Sequence, residues 1–109
     1  MAPRMTLTTQ LVLRALLADP AREMYGLEIC AAAELPSGTI HPILARLERL
    51  GWLESRWEDV DPREAGRPRR RFYRLSGDGV TSAQIALARA EASAAKLARL
   101  RPGLAGGAR

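Results

Sequence analysis

A chain of 109 residues with 17 Lys and Arg against 12 Asp and Glu carries a formal charge of +5. That fits one domain, or one domain with a helical extension, and an anionic partner, nucleic acid before membrane. One cysteine (Cys30) and one histidine (His41) exclude an internal disulfide, a Cys-based zinc site and a His-rich metal site, and a nucleophilic triad would need that same histidine.

No GxxxxGK(S/T) loop is present, Arg14 interrupts the early apolar run, and nothing approaches the roughly 18 apolar residues that span a membrane. A cytoplasmic, non-catalytic binding protein without cofactor or metal is expected. Aromatic residues are only 5% of the chain, so the core must rest on Leu, Ile, Val and Ala.

After Pro3 and Arg4, Thr6 or Thr8 can cap a helix over residues 6–18, which Asp19-Pro20 stops. From Leu11 to Ala18 every residue except Arg14 is apolar. A helix apolar on nearly all sides needs cover on more than one, and in so small a chain a second subunit is the simplest cover, with Leu11, Ala15 and Ala18 in the interface. Residues 19–24 read as a turn. Gly26 to Glu34 reads as a short helix with Leu27, Ile29 and Cys30 on its apolar side, and Leu35-Pro36 breaks it. Cys30 is either a small buried apolar residue or a redox switch.

Ser37-Gly38-Thr39 opens a third helix that ends at Gly51. Ile40, Ile43, Leu44, Leu47 and Leu50 recur on one face at steps of three and four, leaving His41, Ala45, Arg46 and Arg49 opposite. Pro42 falls within the first two turns, where a missing N–H costs least. Two helices joined by a tight turn make a helix-turn-helix candidate. Ser37, Gly38, Thr39, His41 and Pro42 would meet DNA, with Arg46 and Arg49 either reaching guanine edges and phosphates or pairing with Glu48 or Glu54. His41 is a phosphate donor, a surface bystander or, more remotely, a pH sensor.

Trp52 to Glu58 suits a strand, Asp59 to Pro68 a loop, and Arg69 to Leu75 the returning strand. Trp52 and Trp57 are expected to pack the hairpin. Arg67, Arg69, Arg70, Arg71 and Arg74 follow an acidic stretch of Glu58, Asp59, Asp61 and Glu64. Those arginines either pair with these acids or read phosphate and the minor groove. Strand alternation would put Arg69 and Arg71 on one face and Arg70 on the other.

Ser76 caps a long last helix, in which Val80, Ala83, Leu87, Ala90, Ala94 and Leu97 recur at steps of three and four. This seam packs either on the domain itself or, as favoured with the apolar first helix, on a two-fold partner. The expected organisation is mainly α with a small β-hairpin: a winged helix-turn-helix over residues 1–75, a dimerisation helix over 76–101 and a disordered tail over 102–109.

The runs Met24-Tyr25-Gly26-Leu27-Glu28-Ile29, Ser37 to Glu48, Gly51 to Glu58 and Gly66 to Leu75 resemble the PadR family of bacterial transcriptional regulators over about residues 5–80. His41 stands where that family usually has tyrosine. The resemblance implies a winged helix-turn-helix with C-terminal dimerisation, and a homodimeric repressor that occupies a palindromic operator and leaves it on binding a small molecule or other signal. Ser37, Thr39 and His41 would touch DNA and Arg67 to Arg71 would form the wing. With one C-terminal helix, any small-molecule effector would have to bind between subunits. The rival is an interaction adaptor that sets its arginine-rich wing on an acidic protein.

Overall fold

Thr6 opens the first helix as its composition suggests: its hydroxyl accepts from the Thr9 N–H at 3.2 Å and donates to the buried Thr9 hydroxyl at 3.0 Å. In the computed structural model, which describes residues 3–100, helix α1 (Leu7–Leu17) is followed by β1 (Met24–Tyr25), α2 (Gly26–Ala33), α3 (Ser37–Arg49), β2 (Leu53–Trp57), α4 (Pro62–Ala65), β3 (Arg71–Leu75) and α5 (Gly77–Leu100). The tail over 102–109 lies outside the described residues.

α1 packs against α2, α3 and α5 of its own chain, and these cover Val12, Leu13 and Leu16 completely or nearly so. The second subunit expected as cover is therefore not needed for these three. Leu11 and Ala15 are half-buried and Ala18 is exposed. α2 starts where the Tyr25 N–H donates to Glu28 Oε1 at 3.2 Å and ends on Glu34, which takes a left-handed φ of 57°. Ile29 and Ala33 face the core, whereas Leu27, expected on that side, is 71% exposed.

α3 buries Ile40, Ile43, Leu44 and Leu47, the stripe its periodicity gives. It closes through Gly51 at φ +80°, a conformation that suits a residue without Cβ, while Trp52 N–H donates to the Leu47 carbonyl at 2.9 Å.

The sheet order is β1-β3-β2, antiparallel throughout, with Leu53 opposite Leu75, Ser55 opposite Tyr73 and Trp57 opposite Arg71. β1 adds Met24 opposite Tyr73 and Tyr25 opposite Phe72. The region between β2 and β3 is not all loop. Asp61 caps α4 by accepting from the Arg63 N–H at 2.9 Å, and Gly66 ends it at φ +71°.

α5 begins on Ser76, whose hydroxyl accepts from the Gly79 N–H at 2.9 Å and donates to the Gly51 carbonyl at 2.8 Å. Gly79 is pressed so closely on the Trp52 carbonyl that a Cβ there would lie 2.1 Å from the oxygen. Ala83, Ala86 and Leu87 join the core, and residues 91–100 are exposed throughout.

Candidate nucleic-acid interface

Because apolar residues occupy one stripe of α3, its other face is left to solvent. Ser37, Gly38, His41, Pro42, Ala45, Arg46 and Arg49 are exposed there and Thr39 is half-buried. Neither Arg46 nor Arg49 has an ion-pair partner among the described residues. The acids that were candidates to hold them are engaged elsewhere. Glu48 accepts from Ser55 Oγ at 2.5 Å and lies 3.5 Å from Arg71, and Glu54 lies 3.5 Å from Arg74.

The wing arginines divide by partner. Arg67 holds Glu58 through both carboxylate oxygens, at 2.7 and 3.0 Å, and Glu58 also accepts from the Arg70 N–H at 3.2 Å. The Arg67 hydrogen bonds hold the Glu58 carboxyl down at about 2, and the same contact raises the Arg67 guanidinium. For Arg67, pairing with a nearby acid is what occurs. Arg69 donates from Nε to the Val60 carbonyl at 2.9 Å, and Arg70 lies 4.2 Å over the Tyr25 ring. Arg71 donates to Ser55 Oγ at 2.7 Å and lies 4.9 Å from the Trp57 ring centre. Beneath it, burial raises the Tyr73 hydroxyl above its ordinary value.

Arg67, Arg70 and Arg71 line one groove of about 350 Å³ with Tyr25, Leu27, Ser37 and His41. Arg69 instead borders a shallow depression with Trp57, Pro62 and Pro68. This reverses the expected grouping of Arg69 with Arg71 against Arg70. Alternation holds only inside a strand, and β3 begins at Arg71, so Arg69 and Arg70 lie just outside it. Trp52 is buried as expected, but Trp57 is 57% exposed and serves as a platform for Arg71 rather than as packing. Sequence reasoning also missed Tyr25 and Leu27 in the groove. For Tyr25 a two-residue strand has no period to reveal it, and Leu27 was expected on the core side of α2. Gly26 helps form the groove, since a Cβ there would sit 3.3 Å from His41 Cε1.

The seam of the last helix divides as well. Ala83 is fully buried and Leu87 nearly so inside the chain's own core, so neither offers surface to a partner. Val80 and Ala90 are half-buried, while Ala94 and Leu97 are exposed. Leu7 on α1 and Ile85 and Leu100 on α5 are further exposed apolar side chains.

A recognition-type helix beside a basic hairpin is the architecture of a winged helix-turn-helix, and the sequence agrees: residues 12–84 match the family of PadR-like transcriptional regulators. The chain belongs to that family. Among solved structures, a PadR family transcription regulator from Clostridium difficile is 21% identical with a TM-score of 0.66, the match covering 90% of this chain and 100% of that one. A MepR mutant from a multidrug-resistant Staphylococcus aureus isolate is 20% identical with a TM-score of 0.60, over 75% of this chain and 55% of its own length. AbfR bound to DNA is 27% identical with a TM-score of 0.62, over 83% and 60%. The chain thus spans little more than half the length of the MepR and AbfR structures. No match was found among curated protein sequences. No helix of the described residues is long and apolar enough to cross a membrane.

Proposed function

We propose that this PadR-like protein is a sequence-specific DNA-binding regulator working as a homodimer, with α3 as the major-groove reader and the wing on the adjoining backbone or minor groove. The carrying observation is the unpaired basic face of α3, continuous with a groove that also holds Arg70, while Glu48, Glu54 and Glu58 are each held by partners. Ser37, Gly38, Thr39, His41 and Pro42 are placed for the backbone, Arg46 and Arg49 for base edges or phosphates, and Arg69 and Arg70 for phosphates along the wing. That the AbfR structure holds DNA supports the choice of partner.

The exposed outer half of α5, with Leu97 and Leu100, supports a two-fold contact in which Leu11, Ala15, Ala90 and Ala94 take part. A cleft of about 240 Å³ bounded by Met5, Ala86, Arg89, Ala90 and Ser93 lies where a second copy on α5 would wall it, which supports a small-molecule effector between subunits. Occupancy of a palindromic operator, with repression as the outcome, completes the reading. Selection from a random-sequence pool tests it. The expected product is an inverted repeat with half-sites about 34 Å apart. Recovery of no preferred sequence would refute it.

A further inference from the structure

We propose that Arg71 is a positioning residue that fixes the angle between α3 and the wing rather than one of the DNA contacts, with Glu48 and Ser55 as its seats. This rests on the DNA-binding reading above. Its Nη2 donates to Ser55 Oγ at 2.7 Å, Ser55 Oγ in turn donates to Glu48 Oε2 at 2.5 Å, and the guanidinium closes the triangle 3.5 Å from that carboxylate. The Trp57 ring, directly across the β2–β3 ladder, carries the guanidinium at 4.9 Å. One side chain of β3 thereby binds β2 and α3 together.

No other wing arginine pairs with a residue of α3, and Arg70 stacks instead on Tyr25 of β1. Arg67 and Arg69 tie the wing's own loop through Glu58 and the Val60 carbonyl, and Arg74 pairs across the hairpin with Glu54. The hairpin is joined to the end of α3 at the short turn through Gly51 and Trp52, and β1 holds the outer edge of β3 without touching that joint's angle to the body of α3. The Glu48–Ser55–Arg71 link is a side-chain attachment of the hairpin to α3 away from that turn, and two attachments to one helix set an angle. It also accounts for Glu48. A carboxylate on the helix that faces phosphates repels them, so its presence there calls for a partner that uses it.

The experiment compares binding to a duplex selected by the wild-type protein with binding to a scrambled duplex of the same length and composition. Loss of a phosphate contact weakens both duplexes alike and lowers the salt slope; loss of positioning weakens the selected duplex alone. Arg71→Ala is expected to lose roughly tenfold on the selected duplex and little on the scrambled one, at an unchanged salt slope. Arg71→Lys is expected to behave like Arg71→Ala, because an ammonium cannot bond both seats and stack on the indole at once. Glu48→Ala is the test of sign. If Glu48 merely withheld Arg71 from DNA, removing it would tighten binding, whereas a positioning role predicts weaker selected-duplex binding and a double variant no worse than the worse single one.

Tighter binding by E48A, full selected-duplex affinity in R71K, or equal losses on both duplexes in R71A would each overturn the proposal. Should R71A be unfolded by circular dichroism, Ser55→Ala and E48A carry the test, since each removes one seat and leaves the charge. If the wild-type protein selects no sequence, the DNA-binding reading itself has failed, and the positioning role with it.

Discussion

The steepness with which salt weakens binding counts the cations that reach phosphate, and the ion pairs of the wing set that count. On α3 and the basic limb of the hairpin there are seven arginines: Arg46, Arg49, Arg67, Arg69, Arg70, Arg71 and Arg74. Three of these face carboxylates, Arg67 on Glu58, Arg71 on Glu48 and Arg74 on Glu54, and are already neutralised in place. Arg46, Arg49, Arg69 and Arg70 remain. At about 0.9 counterions released per phosphate, four per chain give a slope of about −7 in log affinity against log salt for the proposed dimer. All seven would give about −13. Between about 50 and 200 mM salt the first slope costs roughly 10⁴-fold in affinity and the second roughly 10⁸-fold, a difference that fluorescence anisotropy resolves easily. Arg70→Ala should flatten the dimer slope by about 2, whereas Arg67→Ala should leave it nearly unchanged. A wild-type slope steeper than about −10, or equal effects of the two substitutions, would refute this division of the wing.

The Glu58 carboxyl, held from its ordinary 4.5 down to about 2, stabilises the folded wing above pH 4.5, and that contribution is lost as the pH falls toward 2. Glu58→Gln should therefore melt lower than wild type near neutrality, with the two melting temperatures converging toward pH 2; a constant offset across that range would contradict the clamp. Gly79→Ala places a methyl 2.1 Å from the Trp52 carbonyl oxygen and should destabilise the fold by about 1–3 kcal/mol in urea titrations, a neutral effect showing that the joint can yield. Leu97→Asp, on the exposed half of α5, should convert the proposed dimer to a monomer in sedimentation velocity, and persistence of the dimer would place the contact elsewhere.

Local signals carried the helices well and the contacts poorly. α3 was legible because Ile40, Ile43, Leu44 and Leu47 repeat at helical spacing, Gly51 stops them, and all four are buried. β1 was not, since Met24 and Tyr25 are too few to show alternation and are made a strand only by pairing with Tyr73 and Phe72, nearly fifty positions away. α4 carried its signals, Asp61-Pro62 at the start and Gly66 at the end, but in a length easily taken for loop. The site arginines were visible as a cluster, but their partners were not. Glu58 meets Arg67 only because the hairpin folds back, and Arg71 reaches Glu48 only because the sheet lies against α3. The seam of α5 was a real stripe as well. Periodicity shows which face is apolar and is silent on what covers it, so Ala83 and Leu87, taken up by the chain's own core, look no different from Ala94 and Leu97, which are not.

That stripe acquires a mechanical meaning at Trp52. The Trp52 N–H bonds to the Leu47 carbonyl of α3 at 2.9 Å, its carbonyl accepts the Ser76 N–H at 2.9 Å, and Gly79 of α5 rests against the same oxygen. Ser76 Oγ adds a bond to the Gly51 carbonyl at 2.8 Å. The end of α3 and the start of α5 are thus joined through one residue, with no side chain between Gly79 and the backbone to act as a cushion. A helix of 24 residues is about 36 Å long, so a tilt of about 10° at this joint moves its far end by about 6 Å. The converse holds for a dimer gripped at the far ends of α5: a change in how those ends pack is returned to α3 as a change of angle and spacing. Half-sites in successive major grooves tolerate little of either. An effector lodged beside Ala86 and Ala90, about 10–17 Å along α5 from Gly79, would act on the middle of this lever, between the joint and the ends that a dimer would grip.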